Sequence, residues 1–111
     1  MVFSTALPGQ PRNIAVQSIG ATWTQIRWSL PFVAESPISY YEITARTSIA
    51  VVNVTTANSN PFFNVTGLLP GTTYELTVVA VSQGGDVIAR SQESVPVEGI
   101  ITGVTGAYLM Y

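Results

Sequence analysis

Apolar and polar residues alternate along most of this chain. In residues 22 to 29, T-W-T-Q-I-R-W-S, one face carries Thr24, Ile26 and Trp28 while the residues between them fall on the other face. A period of two residues is typical of half-buried strands, and no stretch shows helical spacing. The same alternation recurs in residues 14–19, 38–46 and 74–81. The pattern predicts an all-β domain.

Turn-forming residues separate the alternating stretches. Proline, glycine and asparagine cluster in "PFVAESP", "TANSNP", "LPG" and "QGGD". We count about seven short strands with turns at roughly regular spacing, which is typical of a two-sheet sandwich. The 111 residues allow one domain with a hydrophobic core but not two.

The third and sixth predicted strands define an inner and an outer face. Alternation places Tyr41, Ile43 and Ala45 on one face of the third strand and Tyr74 with its alternate neighbours on one face of the sixth. If Tyr41 and Tyr74 face the core, the outer faces of the two strands carry Tyr40, Glu42, Thr44, Arg46, Glu75, Thr77, Val79 and Val81.

A tyrosine follows the turn in the stretch "GLLPGTTYELTVVAV", residues 67 to 81. Pro70 and Gly71 turn the chain, and Tyr74 then begins a strand. A tyrosine in this position can bury its ring between the sheets while its hydroxyl reaches a backbone group a few residues upstream. The stretch therefore predicts a tyrosine corner.

Several segments together resemble a fibronectin type III domain over residues 8–98. They are Pro11 with "NIAV", Trp28 followed by Pro31, "ISYYEI" and "VTGLLPGTTYELTVVAV". The resemblance implies a seven-stranded, immunoglobulin-like β-sandwich, and the absence of cysteine fits it. It also implies a structural core that includes Trp28, Tyr41, Ile43, Leu68, Tyr74 and Val78.

The two ends of the chain depart from the resemblance. We expect residues 1–7 to be a linker or an added segment, and residues 99–111 to be a C-terminal extension or linker. The apolar, alternating tail could equally be an extra strand or the start of a neighbouring module. The last strand, within "VIARSQESVPV", is also less clearly marked than the others.

Composition excludes several classes of function. The chain has no histidine, cysteine or lysine, and its four arginines are scattered in a chain of net charge −2. We therefore expect no Cys/His metal site, no thiol or Ser-His-Asp catalysis and no nucleic-acid binding. The apolar runs are too short for direct membrane insertion.

The six acidic residues do not form a recognisable catalytic pair. None of Glu35, Glu42, Glu75, Asp86, Glu93 and Glu98 sits in a motif that would place two carboxylates in a cleft. Asp86 follows two glycines and is interpreted as part of a hairpin turn rather than a calcium ligand. We predict no enzymatic activity, no cofactor and no metal.

Candidate protein contacts remain on the predicted surface, at Trp23, Tyr40, Arg46 and Val79. Trp23 points away from the face of Trp28, so it is either an interface anchor or a residue covered by a loop at the end of the sandwich. The loop that carries an Arg-Gly-Asp triplet in some members of the family reads "SQGGDVIA" here. Integrin binding is therefore not expected.

Two sequons, at Asn53-Val54-Thr55 and Asn64-Val65-Thr66, are candidate glycosylation sites. Valines beside each asparagine face inward, so both Asn53 and Asn64 should face solvent, where a glycan would not disturb the core. Serine and threonine are frequent enough in this chain to give about one sequon by chance.

The resemblance implies a non-enzymatic module of a larger extracellular or cell-surface protein. Adhesion molecules and receptor ectodomains use such modules, often in tandem, as spacers and as protein-binding domains. The alternative is an accessory spacer domain of a secreted microbial enzyme or surface protein. Either way, the expected partners are proteins and neighbouring modules of the same chain.

Overall fold

A computed structural model describes residues 8–30, 37–84 and 87–101, with side chains up to residue 97. The described chain forms strands and turns, as the alternating pattern predicts. The strands are β1 (Arg12–Ile19), β2 (Thr24–Ser29), β3 (Tyr40–Arg46), β4 (Val51–Thr55), β5 (Phe62–Val65), β6 (Thr73–Gly84), β7 (Val87–Arg90) and β8 (Val97–Ile101).

These strands make two antiparallel sheets. The three-stranded sheet has the order β1-β2-β5, and the larger sheet has the order β4-β3-β6-β7, with β8 also paired to β6. Val81 pairs with β3 and with β7, and Leu76 pairs with β3 and with β8. Both β7 and β8 therefore lie on the side of β6 away from β3, as two segments of one strand position. The sandwich thus has seven strand positions, which confirms the predicted all-β, seven-stranded fold.

The core lies between the sheets and is built from the faces that alternation directs inward. Ile26 and Trp28 enter it from β2, and Tyr41 and Ile43 enter it from β3. The rings of Trp28 and Tyr41 meet edge to face with centroids 4.9 Å apart, so this pair joins the two sheets at the centre. The other members of the cluster are Ala45, Val65, Leu68, Tyr74, Leu76, Val78 and Ala80.

The turn before β6 has the geometry of the predicted tyrosine corner. Gly71 has φ of 64°, a left-handed conformation that glycine adopts without steric cost. The ring of Tyr74 is buried, and its hydroxyl accepts a hydrogen bond of 2.8 Å from the backbone N–H of Leu69. The hydroxyl thereby fastens the turn between the sheets to the strand that follows it.

The seventh strand position is interrupted between β7 and β8. In the gap, the N–H groups of Ser91 and Ser94 donate to the carbonyls of Ala80 and Val78. Their hydroxyls accept from the N–H groups of the same two residues, each at 2.9 Å. Serine side chains thus replace the missing strand as acceptors for β6. The strand then resumes as β8 and runs to Ile101.

Two residues of β6 differ from the predicted outer face. Thr77 and Val81 are buried, although alternation places them on the outer side of the sheet. The Thr77 hydroxyl donates to the carboxylate of Glu93, which reaches over it from the gap between β7 and β8. Strand alternation predicts the side of a sheet but not what covers that side.

Candidate interaction surfaces

The outer face of the five-stranded sheet carries a first ion pair between β3 and β7. Arg90 binds Glu42 through two hydrogen bonds, with Nε–Oε1 of 2.9 Å and Nη2–Oε2 of 3.1 Å. These hydrogen bonds and the carboxylate charge raise the pKa of Arg90. The planar fork of the guanidinium fits both carboxylate oxygens, so this arginine is committed within the molecule.

A second ion-pair network lies at the other end of β3. Arg46 contacts Glu93 with an Nη2–Oε2 distance of 2.9 Å and Glu75 with an Nη1–Oε1 distance of 3.8 Å. The side chain of Arg46 is 38% exposed, so the pairs are partly solvated and individually weak. The predicted contact residue Arg46 is therefore already engaged by acids of its own chain.

The sequon residue Asn53 lies beside these charged groups. Its side-chain oxygen accepts a hydrogen bond of 2.8 Å from the hydroxyl of Thr44 on the neighbouring strand. Asn53 is exposed and lines a shallow depression of about 440 Å³. The other lining residues are Glu42, Thr44, Val54, Thr55, Val79 and Glu93. A glycan on Asn53 would cover part of this face.

The outer face of the three-stranded sheet has a different charge pattern. Its strands contain Arg12 and Arg27 and no acidic residue. Among the described residues, Arg27 has no ion pair or hydrogen bond through its side chain, while Arg12 donates to the carbonyl of Leu30. Sequence reasoning did not single out Arg27. The sequence feature that could have identified Arg27 is the absence of Asp and Glu from the strands that make this sheet.

Arg27 lines a depression of about 630 Å³ on the three-stranded sheet. Phe62, which is 50% exposed, lies opposite Arg27 in the register of β2 and β5. The remaining lining residues are Asn13, Ala15, Gln17, Trp28, Ser29 and Pro61. We name this depression the Arg27 site. It combines a cation, several neutral hydrogen-bonding groups and an apolar rim.

The structure separates the four predicted contact residues. Tyr40, Arg46 and Val79 share the outer face of the five-stranded sheet, and all three are only partly exposed. Trp23 lies just before β2 in the other sheet and is 37% exposed. Its indole covers Gly20, where an added Cβ would meet Nε1 at 2.0 Å. The indole of Trp23 thus packs on its own turn.

The six predicted core residues and the second sequon can be placed directly. All six core residues are at most 5% exposed. Asn64 is exposed on β5 and pairs with Gln25 in the register of β2 and β5. The two sequons therefore lie on different sheets of the sandwich, one on each.

Two polar atoms in the core have no hydrogen-bond partner within the described residues. They are the indole Nε1 of Trp28 and the hydroxyl of Tyr41. Burial raises the pKa of Tyr41, and the adjacent Trp28 side chain lowers it by a smaller amount. The Trp28 indole N–H and the Tyr41 hydroxyl do not form a hydrogen bond with each other. The two side chains therefore meet through an edge-to-face contact of their rings.

No metal-binding cluster occurs among the described residues, where no three His, Cys, Asp or Glu side chains lie together. The carboxylates described there, of Glu42, Glu75 and Glu93, all contact an arginine. No helix in the described ranges is long and apolar enough to cross a membrane.

The sandwich, the tyrosine corner and the sequence together define the class of the protein. The family model for the fibronectin type III domain matches residues 9–97, and the chain belongs to that family. The predicted resemblance is thereby confirmed.

Particular relatives are found among the contactins. The chain is 31% identical over 103 residues to contactin-2 of Rattus norvegicus, covering 80% of this chain and 10% of that protein. It is 38% identical over 80 residues to contactin-2 of Homo sapiens, covering 66% of this chain and 8% of that protein. The chain thus spans about a tenth of the length of these relatives.

The fold is also found in solved structures of low sequence identity. The twitchin kinase region of C. elegans matches with a TM-score of 0.77 and 17% identity, over 94% of this chain and 18% of that chain. At this level of identity the match shows the fold alone.

Proposed function

We propose that this chain is a non-enzymatic fibronectin type III module of a larger extracellular or cell-surface protein. In that protein it acts as a spacer and contacts other proteins, as modules of adhesion molecules and receptor ectodomains do. The observation that carries the proposal is the similarity to contactin-2, which covers four-fifths of this chain but a tenth of the relative.

The described surface supports a binding role rather than a catalytic one. The depressions on the two sheets are shallow, and the carboxylates of Glu42, Glu75 and Glu93 are all held by arginines. Acid–base catalysis by carboxylates needs two such groups with different pKa values facing a substrate. Partners would instead meet a strand face with a mixture of aromatic, polar and charged side chains.

The extracellular location predicts that the sequons are used. Asn53 and Asn64 are both exposed, so each can carry a glycan without disturbing the core. The test uses the natural parent chain in its own cells, labelled with a membrane-impermeant reagent and then digested with a glycosidase that removes N-linked glycans. We expect surface labelling and a loss of mass on digestion.

Matched variants assign the glycans. Thr55→Val and Thr66→Val remove the two sequons, and Thr55→Ser and Thr66→Ser keep them. Each valine variant should lose one glycan, whereas each serine variant should keep it. A parent chain found only inside the cell would refute the proposal.

A further inference from the structure

The two sheets use their charges differently. On the five-stranded sheet, each described arginine contacts at least one glutamate. Those pairs use every acidic side chain described in the structure, and none of them contacts Arg27. Within the described residues Arg27 therefore presents a positive charge without an acidic partner, although the whole chain carries a net charge of −2.

Hydrogen-bonding groups surround this charge in the Arg27 site. Asn13 lies at a bulge in β1 and has φ of 55°, a left-handed conformation that asparagine tolerates better than most residues. Its side-chain amide donates to the hydroxyl of Ser29 at 3.3 Å. Bulges redirect side chains, and this one brings the Asn13 amide to the depression that Arg27 lines.

Phe62 and Pro61 give the site an apolar rim next to its cation. Phe62 is opposite Arg27 in the strand register and half exposed. A carboxylate bound to Arg27 would therefore place its neighbouring groups against an aromatic ring.

We propose that the Arg27 site docks an acidic segment of a protein partner, with an Asp or Glu carboxylate on the Arg27 guanidinium and apolar neighbours on Phe62. The proposal rests on the proposed function, because it names the chemistry of a partner for a binding module. Charge complementarity selects the partner, since the described lining of the site offers a cation without an ion pair and no acidic side chain. A polyanion such as nucleic acid would need several clustered cations, and this sheet has two arginines.

The test titrates the 111-residue protein, made without glycans, with two short extended peptides. One peptide alternates Glu and Thr, and the other has Gln in place of each Glu. The readout is the shift of backbone amide and arginine Nε–H signals in NMR spectra. We expect only the Glu peptide to bind, weakly, with the largest shifts at Arg27, Gln17 and Ser29. Raising the salt from about 0.1 M to about 1 M should weaken binding, because the Debye length falls from ~10 Å to ~3 Å.

Two arginine variants localise the contact. Arg27→Gln should weaken binding of the Glu peptide by about two- to fivefold, the range for one exposed ion pair. Arg46→Gln removes the same charge from the opposite sheet and should leave binding unchanged. Unchanged core amide signals show that both variants remain folded.

Several outcomes would overturn the proposal. Equal binding of the two peptides, shifts confined to the five-stranded sheet, or equal losses in both variants would each exclude the Arg27 site. Binding of 3′-sialyllactose at Arg27 with no response to the Glu peptide would assign the site to an acidic sugar instead. None of these outcomes depends on whether the parent chain reaches the cell surface, so the two proposals fail separately.

Discussion

The two outer faces of the sandwich carry arginines in opposite situations. On the five-stranded sheet, Arg46 and Arg90 each contact glutamates of the same chain. On the three-stranded sheet, Arg27 has no acidic neighbour among the described residues. The same type of side chain thus pairs with acids of its own chain on one face and has no described acidic partner on the other. The net charge of a small domain says less about its binding than the partners of each charge.

The contrast between the two faces requires that the two sheets pack together. The variant with the largest expected effect therefore weakens the packing between the sheets. Trp28→Ala removes the ring that meets Tyr41 across the core and should cost about 3–5 kcal/mol of unfolding free energy. Chemical denaturation measures it. Trp23→Ala is the control, because Trp23 is 37% exposed and should cost much less. Equal losses would mean that the assignment of the two tryptophans to opposite faces is wrong.

The interrupted seventh strand allows a buried serine hydroxyl of the five-stranded sheet to be compared with an exposed one of the three-stranded sheet. Ser94→Ala leaves the buried N–H of Val78 without its acceptor, which should cost about 1–3 kcal/mol. Ser18→Ala removes an exposed hydroxyl bonded to Gln25 and should cost less than about 0.5 kcal/mol. Denaturation and hydrogen exchange at Val78 give the two readouts. An unchanged exchange rate at Val78 would show that the serine hydroxyl is not its acceptor.

Two tyrosines in the same core give a matched pair. Tyr74→Phe deprives the Leu69 N–H of its acceptor and should destabilise by about 1–3 kcal/mol. Tyr41→Phe removes a hydroxyl that has no hydrogen-bond partner in the described residues, so stability should be unchanged or higher. Unfolding curves of the two variants should therefore separate clearly. Similar losses would mean that the tyrosine corner adds nothing beyond the packing of its ring.

Alkaline pH should lower the free energy of unfolding through ionisation of the Tyr41 hydroxyl. Burial raises the pKa of its hydroxyl in the folded state above that of the unfolded chain. The contribution of the protonated hydroxyl to the free energy of unfolding is therefore fully present below the pKa of the unfolded chain, about 10. It is lost as the pH rises through the pKa of the folded state. Unfolding free energy should fall above about pH 10 in the native chain and fall less in Tyr41→Phe. Parallel pH profiles would contradict this assignment.

The smallest expected change in stability tests the contrast between the arginines of the two faces directly. Arg46→Gln breaks two partly exposed ion pairs and should cost less than about 1 kcal/mol, with the cost shrinking as salt is added. Arg27→Gln breaks no ion pair or hydrogen bond among the described residues and should leave stability unchanged at any salt concentration. Thermal unfolding at low and high salt measures both. A salt-dependent loss in Arg27→Gln would show that its charge has a partner and would remove the contrast between the faces.

Much of the fold could be predicted from the sequence because strand alternation is a local property. The shared face of Tyr41, Ile43 and Ala45 follows from a period of two, and the turn before Tyr74 follows from Pro70 and Gly71. The family resemblance supplied what alternation lacks, which is the assembly of the strands into a seven-stranded, immunoglobulin-like β-sandwich.

The candidate surfaces were less predictable because they depend on contacts between distant residues. Arg46 and Glu93 are 47 positions apart, so no local pattern shows that they pair. The same contact explains why Thr77 is buried on a face predicted to be outward. The Arg27 site was missed for a similar reason, because the lack of an ion pair at Arg27 becomes visible only after the described acidic side chains have been assigned their partners.

The serine-filled gap in the seventh strand has a mechanical consequence. Tension transmitted along a string of such modules would load the last strand where it joins β6. Backbone hydrogen bonds that are loaded in parallel resist an applied force together. Here the last strand is bonded to β6 in three short segments in succession, which are β7, the serine pair and β8. They would give way one after another, and forced unfolding follows the rate of such opening rather than the equilibrium stability. We therefore expect the last strand to detach from β6 in steps when the module is pulled.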